Sequence, residues 1–145
     1  MMTIDAYIEQ RLDNQRKYYS DKSGFNQRWY RRLRFSTILL AGLLPFVTAY
    51  LDFHPFLKVV AGAMGAAIAI IEGIQHLNKY HDNWVNYRRT SEALKREKIM
   101  FQTETGVYAD GATLPKLVAR VENILADENQ EWLTYIKSTE SEKKL

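Results

Sequence analysis

Two apolar stretches dominate the chain, Phe35 to Leu51 and Phe56 to Leu77, and outside them charged and apolar residues alternate at helical spacing. The first stretch holds 17 residues without a charge, the short end of what crosses a hydrocarbon core about 30 Å thick. Leu33 and a snorkelling Arg34 lengthen it, and Pro45 within it predicts a kink of the kind tolerated where neighbouring helices compensate. Asp52, Phe53, His54 and Pro55 form a turn-like connector, too short for anything but antiparallel neighbours. The second stretch is interrupted by Lys58 near its start and by Glu72, Gln75 and His76 near its end. Neither Gly nor Pro occurs from Ile74 to Thr105, so the second helix is expected to run from Phe56 to about Glu104.

The flanks read as amphipathic helices. Ile4, Ile8, Leu12, Gln15 and Tyr19 share one face of a helix within residues 1–22, and Asp21 to Gly24 predicts a break. Residues 25–51 join a basic, aromatic flank to the first span, and residues 56–104 form the second span with its extension. Along that extension Tyr80, Trp84, Tyr87, Ser91, Leu94, Lys98 and Phe101 alternate at spacings of four and three, a heptad-like seam. Its mixed polarity favours packing against the terminal helices over a long open coiled coil. Gly106 to Gly111 is a loop, and Thr113 with Pro115 in the first turn starts a last helix over 113–137. Leu117, Val118, Val121, Leu125, Trp132 and Ile136 line one face of it, and 138–145 reads as a frayed polar tail. The fold class implied is an all-α membrane protein of one domain, 1–145: a two-helix transmembrane hairpin with long cytoplasmic extensions forming a bundle.

Composition sharpens this picture once it is divided by region. The chain of 145 residues is 46% hydrophobic and 26% charged, with a formal charge of +3. Residues 1–34 carry eight Lys or Arg against four acids, whereas 78–145 balance at eleven against eleven. Arg28, Arg31, Arg32 and Arg34 precede the first span and Lys79, Arg88 and Arg89 follow the second, while only Lys58 lies near the connector. Both termini are therefore expected on the cytoplasmic side of the membrane. Trp29, Tyr30, Tyr50, Phe53, Tyr80 and Trp84 fall at the expected interfaces. Met1 to Tyr19 lacks the apolar core of a signal peptide, so the first span would itself direct insertion. There is no cysteine, and no zinc-finger, basic-zipper or RNA-recognition pattern, so nucleic acid is not an expected partner.

A step of about 100° per residue puts Gly62, Gly65, Ala69, Glu72, His76 and Asn83 in one stripe of the second helix. Small residues let membrane helices approach closely. The stripe receives either the first span of the same chain or the axis of a homo-oligomer, where it would line a narrow lumen. Glu72 is the most informative residue, because an ionisable group in a span needs a partner or water. It either rings an axis and favours cations or pairs with a basic residue of the first helix. His76, one turn on, could share a proton with Glu72 or sit as a structural histidine at the headgroup level. His81 falls on another face and no third ligand is spaced for a metal. Arg88, Arg89, Glu92, Lys95, Arg96 and Glu97 read as a solvated face of helical ion pairs, and Asp127, Glu128 and Glu131 as surface charge. No phosphate-cradling loop or nucleophile elbow is present, so neither catalysis nor a cofactor is expected.

The run Glu72-Gly73-Ile74-Gln75, then Trp84-x-x-Tyr87-Arg88, then Glu92-x-Leu94-Lys95-x-Glu97 resembles the bacterial two-transmembrane SLATT superfamily, in particular its small standalone members filed as domain of unknown function 4231. Tyr18-Tyr19 and the late Glu128-Asn129-x-x-Trp132 agree with that pattern. The resemblance implies a helical-hairpin effector, proposed for that superfamily to form pores when a partner senses a nucleotide signal during conflict with invaders. No sensor or nucleotide-synthesising domain is fused here, so a separate sensor protein is the implied partner beside membrane lipid and further copies of the chain. The candidate site residues are therefore Gly62, Gly65, Ala69, Glu72 and His76 at the pore or helix interface, from the stripe, and Trp84, Tyr87, Arg88, Glu92, Leu94, Glu97 and Trp132 in the cytoplasmic bundle. Against the channel stand a non-conducting scaffold whose bundle docks a partner protein, and a soluble bundle with two unusually apolar core helices.

Overall fold

The structure is a computed structural model that describes residues 3–50, 52 and 54–142, with 129–142 described as helical backbone alone. The described residues are helical throughout, without a strand. A short α1 (Ile4–Tyr7) passes through a π-helical stretch (Ile8–Asp13) into α2 (Asn14–Ala49); α3 (Phe56–Asn78) and α4 (Tyr80–Gln102) follow, then a 3₁₀ turn (Gly106–Tyr108) and α5 (Leu114–Glu142). Thr3 caps the start, its Oγ1 accepting from the Ala6 N–H at 3.3 Å. Two helical runs, Ile4–Ala49 and Phe56–Tyr108, are long and apolar enough to cross a membrane. The chain divides into two compact units, Met1–Ser23 with Val85–Leu145, and Gly24–Trp84.

Three expectations about helix ends are corrected. No break occurs at Asp21 to Gly24: α2 runs through both, because a single Gly costs only about 1 kcal/mol relative to Ala in a helix and its neighbours on both sides propagate the ladder. The second helix is not continuous to Glu104. Lys79 adopts a left-handed conformation, φ 43° and ψ 44°, ending α3 at Asn78 before α4 begins at Tyr80. Asparagine side chains make this interruption tolerable by taking backbone carbonyls: Asn78 Nδ2 donates to Ile74 O at 3.0 Å and Asn83 Nδ2 to Asn78 O at 3.0 Å. Finally, α5 extends to Glu142, past the tail expected from Ser138, and 143–145 lie outside the described residues.

The unit Met1–Ser23 with Val85–Leu145 is built from amphipathic faces. Its buried core is Tyr7, Leu12, Tyr19, Leu94, Phe101, Tyr108, Leu117, Val121 and Leu125, to which the N-terminal helical run, α4, the 3₁₀ turn and α5 all contribute. Each helix alone would expose its stripe, so the three associate to remove those stripes from water. The turn after α4 is a Schellman closure with Glu104 left-handed at φ 51°, the Thr105 N–H reaching Met100 O at 3.1 Å. Gly106, at φ 61°, follows directly, and a Cβ there would lie 2.5 Å from Met100 Cε. The angle favours glycine, while the contact is with the flexible end of Met100, which would have to shift.

In the unit Gly24–Trp84, α2 and α3 lie antiparallel, since Trp29 meets Tyr80 while the later Arg34 meets the earlier Glu72. The less exposed positions of α2, Leu33, Thr37, Leu40, Leu44 and Val47, recur at three and four, as do Leu57, Val60, Met64, Ala67, Ile71 and Gln75 of α3. These are the faces the two helices turn to each other. The remaining apolar surface is left open, including Phe35, Ile38, Leu43 and Phe46 on α2 and Phe56, Val59, Ile70 and Leu77 on α3.

Candidate functional site

The stripe on α3 does not receive α2. Gly62, Gly65, Ala69 and His76 are all exposed, and a Cβ built on Gly62, Gly65 or Gly73 meets nothing within 4 Å. The partly buried positions of α3 lie one step round the cylinder and include Leu57, Met64 and Ile71. No residue of α3 is fully buried.

Glu72 lies at the edge between the open face and the face toward α2. Its Oε1 accepts from Arg34 Nη1 at 3.3 Å, with the two side chains 45% and 52% exposed. The pairing with a basic residue of the first helix, one of the two alternatives for Glu72, is therefore the arrangement within the subunit. His76 makes no hydrogen bond to Glu72, so no proton-sharing pair forms here. Below this level aromatic rings bind α2 to the start of α4. Trp29 stacks on Tyr80 at 6.4 Å, and Tyr30 lies 4.9 Å from His81 and 6.4 Å from Trp84. Trp84 thus belongs with the apolar hairpin unit rather than with the bundle to which its seam position assigned it.

In the bundle unit the seam residues point inward: Leu94 is wholly buried, and Tyr87 packs at 6.0 Å on Tyr19. Arg88 and Glu92 form the exposed i, i+4 pair expected of a solvated face, at 2.8 Å. Glu97 does not share that face, which corrects the sequence reading. It is 3% exposed and accepts from the Tyr108 hydroxyl at 2.6 Å and from Arg120 Nε at 3.1 Å, joining α4, the 3₁₀ turn and α5. Two further bridges fasten the N-terminal run, Arg11 to Glu122 at 3.1 Å and Lys98 to Asp13 at 2.7 Å. Glu128, read from sequence as surface charge, accepts from the Tyr19 hydroxyl at 3.2 Å. The Trp132 side chain lies outside the described residues.

Burial acts on the phenols of this unit. The Tyr19 hydroxyl is pushed up to about 12, first by burial and then by the Glu128 carboxylate beside it. Tyr108 is raised further by burial and by its bond to Glu97, and Tyr7 and Tyr87 are raised by burial with Glu122 and Glu128 nearby. Tyr19 and Tyr108 are held as hydrogen-bond donors to Glu128 and Glu97, a structural role. An open groove of ≈ 480 Å³ runs along α4 and α5 between Glu92, Arg96, Met100, Arg120 and Ile124. Among the described residues no three His, Asp or Glu side chains converge as metal ligands.

The sequence offered signals for some of what it misplaced. Glu97 lies three residues after Leu94, on the edge of a wider inner face, and Tyr7 lies beside the face that runs through Ile4 and Ile8. Among known proteins, the model of a family described as protein of unknown function, DUF4231, matches residues 14–115, more than two thirds of the chain. No curated protein and no solved structure matches.

Proposed function

The chain belongs to this DUF4231 family, and from that premise we propose that it is an oligomeric two-span protein of the bacterial inner membrane whose copies associate through the small-residue face of α3 to form an ion-permeable pore. The observation that carries the reading is the open space over Gly62 and Gly65 on a helix with no buried residue. A core helix of a soluble bundle would be enclosed. Here the apolar side chains of α3 are left for lipid and its glycines for another backbone. The resemblance to the SLATT superfamily supports the same assignment, with both termini cytoplasmic and an effector role in defence triggered by a separate sensor. Conduction follows if the α3 helices surround an axis, with Glu72 and its Arg34 partner at the inner mouth.

The test is mass in detergent or nanodiscs together with conductance in planar bilayers. Gly62→Leu and Gly65→Leu should return the assembly to monomer and abolish conductance while the helical signal persists, because a Cβ at either position enters open space in its own subunit. Glu72→Gln should leave the oligomer and change ion selectivity. A wild-type monomer, or a folded oligomer that passes no ions, would count against the pore. The second outcome would favour a non-conducting scaffold, for which the groove between α4 and α5 is the docking surface.

A further inference from the structure

We infer that the inner end of α2 is a binding surface for the headgroups of anionic phospholipids, made by Arg28, Arg31 and Arg32. The inference rests on the reading that α2 crosses the membrane. Helical spacing of three, four and seven from Arg28 places Arg31, Arg32 and Phe35 on one side of α2, and all four are exposed. Phe35, 67% exposed, opens the uncharged run, and at 1.5 Å per residue Arg32 lies about 4.5 Å before it along the axis. With Phe35 at the edge of the hydrocarbon, the guanidinium groups reach the phosphate level.

These three arginines are distinguished by lying together, without partners, just before the uncharged run. Arg11, Arg16, Arg34, Arg88 and Arg120 each hold a carboxylate of the chain. Among the described residues, Arg28, Arg31 and Arg32 make no hydrogen bond or ion pair. No acid occurs between Lys22 and Leu51 to supply one. The facing segments of the unit Gly24–Trp84 bring only Glu72, taken by Arg34, and Asp82. A second copy of this unit has the same shortage of carboxylates and cannot neutralise the patch. Phosphodiesters can, since a guanidinium presents paired N–H donors that match phosphate oxygens. Net-anionic headgroups are preferred over zwitterionic ones, whose ammonium offsets the phosphate. The aromatic stack of Trp29 on Tyr80, with Tyr30 between His81 and Trp84, fixes the depth of this collar, because such rings settle at the headgroup level.

Nanodiscs of equal phosphatidylglycerol and phosphatidylcholine provide the test, with the lipids retained by the protein counted by native mass spectrometry. Wild type should retain phosphatidylglycerol about fivefold over phosphatidylcholine at low salt, approaching parity at high salt. R28Q/R31Q/R32Q should show less than about twofold preference, and R28K/R31K/R32K should keep most of it. Equal retention by wild type, or a preference indifferent to salt, overturns the inference even if the glutamine variant fails to fold. Flotation on phosphatidylcholine vesicles after an alkaline carbonate wash separates the two readings. A chain that does not float defeats the membrane assignment itself, whereas one that floats without lipid preference defeats only this surface.

Discussion

Glu97 shows how much one side chain can organise. Its carboxylate is enclosed, accepts from the Tyr108 hydroxyl and is neutralised by Arg120, so removing it strands the buried hydroxyl and releases the guanidinium. Glu97→Ala is expected to cost about 3 kcal/mol, read as loss of thermal stability by circular dichroism, and Arg120→Ala, which leaves the buried carboxylate without its counter-charge, should cost a comparable amount. The buried phenols give a pH dependence with a definite sign. Tyr19 ionises near 10 in the unfolded chain and at about 12 when folded, so the fold is favoured below pH 10 and loses that contribution as pH rises from 10 to 12. Absorbance titration of the nine tyrosines should show a late-ionising group, Tyr7, Tyr19, Tyr87 and Tyr108, whose titration coincides with alkaline unfolding.

At the scale of elements, the interruption at Lys79 is the clearest departure from regular helix. A side chain in the left-handed region costs about 1–2 kcal/mol, which glycine avoids. Lys79→Gly should therefore be more stable than Lys79→Ala by about 1 kcal/mol in thermal melts, the reverse of the order in a helix interior. The faces of α3 behave oppositely to each other. Gly62→Ala should leave the melting of a subunit unchanged or slightly raised, since the methyl enters open space, whereas Met64→Ala on the face toward α2 should lower it. Equal losses at both sites would mean that α3 presents a different face to α2.

For the whole molecule, the absence of native cysteine makes topology directly measurable. Single-cysteine variants at Ser20 and Thr105, both exposed, should react with a membrane-impermeant maleimide only after the cells are permeabilised, while Asp52→Cys should react in intact cells. The opposite pattern would reverse the orientation drawn from the basic flanks.

Hydropathy and spacing along the chain were enough to locate two apolar helices, their short connector and the amphipathic stripes of the terminal helices, because helix length, apolar content and a period of 3.6 are properties of consecutive residues. The seam from Tyr87 through Leu94 to Phe101 was readable for the same reason. Which of several adjacent stripes faces a neighbour was not. Gly62, Gly65 and Ala69 and the larger Leu57, Met64 and Ile71 are both helical series on α3, and only their packing against α2 selects the second. Glu97 was hidden among charged neighbours because its partners, Tyr108 and Arg120, are supplied by a turn and a helix that fold back on it. The left-handed Lys79 was hidden too, since asparagine amides rather than a glycine stabilise the break. The chain's own order sets what its helices are; contacts between segments distant in sequence decide which charges are buried, which are paired and which face remains open for a partner.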